Sequence, residues 1–582
     1  MLDTPAFLGV ERSVLGRRWL GPEPEVDRLG LAIAQATGLP EIVGRVLARR
    51  GIGPAEAALH LAPALRDLMP DPSGLRDMDR AAERFLRAAR GGERIAVFAD
   101  YDVDGGASAA LLLIWLRRMG RDATLYVPDR IDEGYGPNVP AMRRLGASHD
   151  LIVCVDCGTL SHEPIAAANC DVIVLDHHLA AETLPPAFAV VNPNRQDEDG
   201  SLGYLCAAGV VFLLLVAVNR LLRRSGEAGP DLLAMLDLVA LATVADVAPL
   251  VGLNRALVRQ GLKVMAGSGR AGLGALASVA GVTGAPSAWP PGFPLRPRVK
   301  AGGRIRAAAL GARLLATDDP FEAAALAERL DRLNGERREI EARVLVAAEA
   351  QVAARGADGP LVWAAGEGWH PGVVGIVAAR LKETFGRPAV VIGFAGGEGK
   401  GSGRSVPGVD LGAAVARLTR DGLIARGGGH RMAAGVTLAP AQLDAAMARL
   451  AELLAGAGAG ADPPRSLRLD GFVAPGAATV ALAEAIAGAG PYGAAAPAPR
   501  LVVSGRLAGA RPIGTAHLAL AITDRAGGRL DAIAFRAAGT PLGAFLAGRA
   551  GAGLHVAGRL EHDTFGGRAR AKLHVEDAAP DG

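Results

Sequence analysis

Four cysteines in 582 residues are too few to staple a chain of this length, which excludes the disulfide framework of a small secreted protein. Cys154-Val155-Asp156-Cys157 has the spacing of a redox or zinc motif, but no second such pair completes a zinc site, and the thiols read as small buried groups. The first residues lack the charged-then-apolar order of a secretory leader. The most apolar helical stretch, Ala207 to Leu222, is interrupted by Asn219 and Arg220 and is too short to span a bilayer. A reducing cytoplasm is the expected setting, with no membrane. Net charge is nearly absent too: 63 Lys and Arg against 60 Asp and Glu leave +3, which neither demands nor excludes a nucleic-acid partner. A Walker loop is also missing. Around Lys400 it would need Gly at 394 and Ser or Thr at 401, where the chain has Phe394 and Gly401, so nucleoside triphosphate use is not indicated.

What the chain does have is acid at the ends of apolar runs. Ile95 to Ala99 reads as a buried parallel strand and runs directly into Asp100-Tyr101-Asp102-Val103-Asp104-Gly105. Three carboxylates at alternate positions repel one another unless a cation neutralises them. An EF-hand loop is the first rival, but it needs Glu at its twelfth position and a helix in front; here Leu111 and a strand stand in those places. Leu151 to Val155 ends in Asp156, Val172 to Leu175 ends in Asp176-His177-His178, and Leu238 to Ala245 ends in Asp246. A parallel sheet would gather these ends at the edge where ligands bind in α/β proteins. Many carboxylates with one or two imidazoles favour Mg²⁺ or Mn²⁺ over zinc, and suit two ions placed for phosphoester hydrolysis.

Elsewhere, Arg296, Arg298, Lys300, Arg304 and Arg306 lie within eleven residues that contain no acid. A charge run is usually a solvated face; one interleaved with Pro and Gly reads as a phosphate-contacting segment rather than a regular surface helix. Gly399 to Ser405 reads as a glycine-rich turn whose backbone N–H groups, Ser402 and Arg404 could cradle a phosphate. Arg130 follows a strand at the ligand-binding edge and could clamp a phosphate bidentately. His430 follows three glycines that permit close backbone approach.

In series, Asp100 to Asp104, Val155-Asp156-Cys157-Gly158, Asp176-His177-His178 and Asp246 resemble the DHH phosphoesterase family, and more narrowly its RecJ-type single-stranded-DNA exonucleases. Supporting segments run from about residue 70 to the C-terminus: Pro128-Asp129-Arg130 with Glu133-Gly134-Tyr135-Gly136, Trp369-His370-Pro371-Gly372, Gly401-Ser402-Gly403-Arg404-Ser405 and Gly428-Gly429-His430. The resemblance implies a metal-dependent 5′-to-3′ exonuclease that releases 5′-mononucleotides in DNA repair and recombination. Asp102, Asp104, Asp156, His177 and Asp246 would hold two Mn²⁺ or Mg²⁺ ions, with Asp100 on a metal or beside a ligand. His178 would steady the developing phosphorane charge or protonate the leaving oxygen. Arg130, Ser402 and Arg404, joined by Arg298, Arg304 and His430, would bind the substrate and its 5′-terminal phosphate. The implied partners are single-stranded DNA with a 5′ end, single-strand-binding protein and a repair helicase, with the enzyme a monomer. The alternatives are a phosphodiesterase of the same family acting on short oligonucleotides, cyclic dinucleotides or pyrophosphate, and a catalytically dead scaffold, against which the intact ligands argue.

The expected architecture is α/β: an N-terminal helical segment to residue 70, a parallel-sheet catalytic domain over 71–318, a connecting helix over 319–356 with a bend allowed at Gly335, a smaller α/β domain over 357–455, a Gly/Ala/Pro-rich linker, and an OB-like β-barrel over 465–582. The chain departs from the family's usual pattern in places. Pro297-Arg298-Val299-Lys300-Ala301-Gly302-Gly303-Arg304 carries Lys300 where an amide is usual, Gly106-Ala107 replaces a small-Thr pair, and Ala495-Ala496-Pro497 replaces a Gly-Asn-Pro turn. The barrel region has only Phe472, Tyr492, Phe535, Phe545 and Phe565 as aromatics, which puts base stacking there in doubt.

Overall fold

The computed structural model describes residues 5–129, 133–267, 269–282, 292–305, 307–460, 466–564 and 567–581. Arg130, Arg306 and Phe565 lie outside the described residues. The chain opens with β1 (Arg18–Leu20) and the helices α1 (Pro24–Thr37), α2 (Glu41–Ala48), α3 (Pro54–Leu61) and α4 (Leu65–Leu68). This segment docks on residues far away in sequence. Strand β1 pairs in parallel with β12 (Ser466–Arg468), and the buried Trp19 and Ser13 both donate to Asp577 near the C-terminus, at 3.2 and 2.7 Å.

The first α/β unit begins with α5 (Met78–Gly91) and β2 (Ile95–Ala99). It continues through α6 (Val103–Arg118), β3 (Thr124–Tyr126), α7 (Val139–Ser148), β4 (Leu151–Val155), α8 (His162–Ala166), β5 (Asp171–Leu175), β6 (Ala189–Val191) and α9 (Ala207–Arg224). The sheet order is β3-β2-β4-β5-β6, with every pairing parallel. Strands β2 and β4 are buried along their whole length because helices cover both faces, which is why they read as unbroken apolar runs.

Residues 238–245 read as a fourth apolar strand, but they belong to helix α10 (Leu236–Ala245), followed by α11 (Gly252–Gly267) and α12 (Ala271–Val279). A short apolar run buried on every side carries no periodicity that separates helix from strand. The basic run is likewise helical, in α13 (Gly292–Ile305), with Pro297 inside it. Its glycines serve close packing: a Cβ at Gly303 would fall 2.7 Å from the Tyr101 Cβ.

After α14 (Leu310–Ala316), the 36-residue helix α15 (Pro320–Arg355) starts at an Asp319 cap and passes Gly335 without a break, about 54 Å at 1.5 Å per residue. It leads to the second α/β unit: β7 (Val362–Glu367), α16 (Pro371–Phe385), β8 (Ala389–Ala395), β9 (Glu398–Arg404), α17 (Leu411–Arg420), β10 (Arg426–His430), β11 (Ala433–Leu438) and α18 (Leu443–Gly456). The sheet order is β10-β11-β9-β8-β7, parallel only between β7 and β8.

The C-terminal part holds β13 (Gly471–Phe472), α19 (Val480–Gly488), β14 (Leu501–Ile513), β15 (His517–Thr523), β16 (Arg529–Ala534), α20 (Pro541–Ala547), β17 (Gly553–Asp563) and β18 (Arg570–Pro580). Strands β14-β15-β16-β18-β17 form a ladder that returns to β14, a closed five-stranded barrel. Among the described residues no helix is long and apolar enough to cross a membrane.

Candidate metal centre and phosphate-facing cavity

The carboxylates meet where β2, β4 and β5 end. Asp102 caps α6, its Oδ1 accepting from the N–H groups of Asp104 and Gly105 at 2.8 and 3.3 Å. Gly105 must be glycine, since a Cβ there would sit 2.5 Å from the Asp100 carbonyl oxygen. Asp104 accepts from the N–H groups of Ala207 and Ala208 at the start of α9. Asp156 takes a left-handed backbone conformation, φ 61°, unusual for a residue with a side chain. His177 Nε2 stands 3.3 Å from Asp156, 3.7 Å from Asp104 and 3.8 Å from Asp246. Three overlapping groups each bring their donor atoms within 4.8 Å: Asp104, His177 and Asp246; Asp156, His177 and His178; Asp100, Asp102 and Asp156.

Electrostatics mark this as a site for cations. Burial, then the nearby Asp246 and Asp102 carboxylates, push Asp104 up to about 6 against the pull of His177. Asp156 is raised well above the usual carboxylate range by burial and by Asp104, Asp102 and Asp100, and Asp246 is raised chiefly by burial. Buried like charges at this density are costly unless divalent cations screen them. An oxygen-rich set with His177 fits Mn²⁺ or Mg²⁺.

His178 is held differently. Its Nδ1 lies 2.8 Å from Asp176, and its Nε2 lies 3.3 Å from the Tyr135 hydroxyl, which also donates to the Asp156 carbonyl. Burial opposes charging of the imidazole, but Asp176 outweighs it and lifts His178 to about 9. Asn192 and Asn194 donate to the carbonyl oxygens of His178 and His177, at 2.8 and 2.6 Å, and fix the turn that presents both rings.

On the second unit, Glu398 to Arg404 alternates with period two. Gly399, Gly401 and Gly403 face apolar neighbours so closely that a Cβ would clash with Phe394, Ile392 or Leu411, while Lys400, Ser402 and Arg404 take the opposite face. The expected glycine-rich turn is therefore a strand, its backbone hydrogen-bonded to β8 and β11, so its N–H groups form no cradle. The side chains do better. Arg404 donates to Ser402 Oγ at 2.8 Å, and both lie against Gly375 in the first turns of α16. Ser402 pairs in register with Gly435 and then Gly428, two exposed glycines with open space where a Cβ would stand. Arg404, Ala433 and His430 form the next row of the same face. The Arg304 carbonyl would meet a Cβ at Gly372 at 2.4 Å, so the end of α13 touches the start of α16. Between the first unit, α15, α16 and the barrel lies a cavity of about 1280 Å³. Nine of its lining residues are Lys or Arg, among them Lys263, Arg296, Lys300, Arg304, Arg500 and Arg559, against two acids, Glu341 and Glu561.

Family models match in the same order along the chain: the DHH family N-terminal domain over residues 94–243, the DHHA1 domain over 358–456 and the RecJ OB domain over 469–577. The single-stranded-DNA-specific exonuclease RecJ of Dickeya dadantii is 39% identical over 518 residues, covering 85% of this chain and 89% of the relative. The chain belongs to the RecJ family. The Escherichia coli RecJ is 37% identical over 522 residues, with the same coverage. The structure of Thermus thermophilus RecJ in complex with Mn²⁺ superposes with a TM-score of 0.79 at 30% identity, covering 96% of this chain and 79% of that one. Its complex with Mg²⁺ gives 0.73.

Against this RecJ framework, the structure brings Asp100, Asp102, Asp104, Asp156, His177, His178 and Asp246 into one cluster, and Ser402, Arg404 and His430 onto one face of the second sheet. Arg304 lines the cavity. Arg298 does not join them: it is buried, and its guanidinium donates to Asp331 on α15 at 2.8 Å and to the Val279 carbonyl. Sequence reasoning missed Asp176 as the partner of His178, the Tyr135 hydroxyl and the pair Asn192 and Asn194. The asparagines follow the apolar strand β6, so the pattern that found the aspartates applied to them too. It also missed that Lys300 reaches a proposed ligand, with Nζ 2.8 Å from Asp102 Oδ2. Cys154, Cys157 and Cys206 are buried.

Proposed function

We propose that this chain hydrolyses single-stranded DNA from its 5′ end and releases 5′-mononucleotides. The observation that carries this is the buried cluster of five aspartates and His177 beside a cation-lined cavity. Asp102, Asp104, Asp156, His177 and Asp246 would hold two Mn²⁺ or Mg²⁺ ions, with Asp100 on the metal between Asp102 and Asp156 or beside those ligands. Bound there, such ions acidify a water and screen the phosphate's charge. His178, kept protonated by Asp176 and steadied by Tyr135, would donate a proton to the 3′ oxygen that leaves with the terminal nucleotide, or stabilise charge on the phosphoryl oxygens. Water adds to phosphorus as that P–O bond breaks, so the shortened strand keeps a 5′ phosphate.

Ser402 and Arg404, at the positive N-terminal end of α16 and beside the bare glycine floor, would receive the terminal phosphate, with Arg304 and His430 at its margin. Arg130 belongs to this reading by motif alone. Arg298 contributes by anchoring α13 to α15. The backbone would run along the cavity's cations towards the barrel. Cytoplasmic action as a monomer, with single-strand-binding protein and a repair helicase, completes the proposal. The RecJ OB domain match disfavours the short-oligonucleotide or cyclic-dinucleotide alternative.

The test is digestion of 5′- and 3′-labelled single strands with Mn²⁺. Immediate release of the 5′ label as mononucleotide is expected; release from the 3′ end first overturns the polarity.

A further inference from the structure

Lys300 stands where the metal cluster meets the cavity. It lies on α13, whose Gly303 packs against Tyr101 between Asp100 and Asp102. From there its side chain lines the cavity while its ammonium reaches Asp102 Oδ2 at 2.8 Å. Both partners are largely sheltered, with side-chain exposures of 14% for Lys300 and 18% for Asp102. The other Asp102 oxygen is already committed, because Oδ1 caps α6 through the Asp104 and Gly105 N–H groups. Both oxygens of this carboxylate therefore have partners before any cation arrives.

The neighbouring group differs. Asp104 also has both oxygens engaged, but by the neutral N–H groups of Ala207 and Ala208 rather than by an ammonium. Asp104, Asp156 and Asp246 converge on His177 Nε2, an imidazole that can itself serve as a ligand. A divalent ion entering between Asp104, His177 and Asp246 breaks no hydrogen bond to Lys300, whose charge reaches Asp246 only through space. One entering between Asp100, Asp102 and Asp156 must displace Lys300 from Asp102 or share that carboxylate with it, and a positive charge nearby weakens its binding further.

We infer that Lys300 makes the two metal positions unequal: the position built on Asp104, His177 and Asp246 fills first, and the position built on Asp100, Asp102 and Asp156 fills tightly only when a substrate phosphate draws the Lys300 ammonium off Asp102. The cavity supplies that alternative partner, since Lys300 already faces the path assigned to the DNA backbone. The enzyme would thus complete its metal centre in the presence of substrate. This rests on the two-metal reading above and goes beyond it by assigning an order of loading and the residue that enforces it.

The test is calorimetric titration of metal-free protein with Mn²⁺, without DNA and with a single strand whose 5′-terminal linkages are phosphorothioates that resist cleavage. Wild type without DNA is expected to bind a first Mn²⁺ at least tenfold more tightly than a second, about 1.4 kcal/mol. Lys300→Asn should tighten the second site and bring the ratio below about threefold. The blocked strand should narrow the ratio in wild type as well, an arm that needs no variant to fold. Two equal sites in wild type without DNA overturn the inference, as does a second affinity untouched by both Lys300→Asn and the blocked strand. Unequal loading in a protein that cuts no single strand would leave the order of loading standing and remove the exonuclease reading instead.

Discussion

The two α/β units solve opposite electrostatic problems with sheets of the same size. In the first, a five-stranded parallel sheet with β2 and β4 buried along their whole length delivers carboxylates to one edge, where burial and mutual repulsion raise Asp104, Asp156 and Asp246. In the second, a mixed sheet carries Lys400, Ser402 and Arg404 on one face of β9, with Ser402 and Arg404 half-buried against α16, while Gly428, His430 and Gly435 on the neighbouring β10 and β11 are exposed. The first site is strained without its ions; the second is an ordinary polar surface whose shape depends on missing side chains. Substitutions should therefore trade activity against stability in the first unit and alter only binding in the second.

The strongest test of that contrast is Asp156→Asn. An amide keeps the shape and tolerates the positive φ, but cannot serve as an anionic ligand, so turnover should fall a thousandfold or more, on the order seen when one member of a catalytic set is removed. Calorimetry of the metal-free variant should nevertheless give a higher melting temperature than wild type, because one buried charge is gone. A lower value would show that the cluster is not strained. Arg404→Ala should do the reverse: the preference for 5′-phosphorylated over 5′-hydroxyl ends drops about ten- to a hundredfold, the loss of a charge-assisted contact, while Mn²⁺ binding and melting temperature stay unchanged.

Salt sharpens the same contrast. If four phosphates are neutralised in the cavity, affinity for a single strand measured by fluorescence anisotropy should fall roughly fiftyfold between 50 and 200 mM salt, from a slope of about −0.7 per contact. Mn²⁺ affinity at the buried cluster should change far less. Gly435→Val places a side chain on the open floor beside Ser402; a several-fold rise in KM for 5′-phosphorylated strands with unchanged kcat is expected, and no change would mean the floor is unused.

The smallest effect is in stability against pH. A carboxyl whose folded pKa is raised binds its proton more tightly in the native state, so its cost is absent below about pH 4 and develops as pH rises through the folded value. Asp156 is raised well above the usual carboxylate range, so the melting-temperature gap between metal-free wild type and Asp156→Asn should open as pH climbs above about 4, where the unfolded carboxyl ionises, and close again when Mn²⁺ is added.

Much of the first unit was legible in the sequence because burial on both faces leaves one unmistakable record: an apolar run that stops at an acid. Ile95 to Ala99 and Leu151 to Val155 are strands with those bounds, and the positions of Asp100 to Asp104, Asp156, His177 and His178 are set by where strands end. Asp246 reached the same cluster from a helix, since a run buried on all sides is apolar whichever backbone it adopts. In the second unit, the alternation in Gly399 to Arg404 was in plain view, yet glycine suggests a turn until the neighbours that exclude a Cβ are known. What only the tertiary structure decided are the pairings across long stretches of chain: Lys300 on Asp102, Arg298 on Asp331, Asp176 under His178, and the N-terminal strand and Trp19 laid on the barrel. Local sequence records which face of an element is buried; it carries no record of which distant charge fills the space opposite, because that depends on how the units dock.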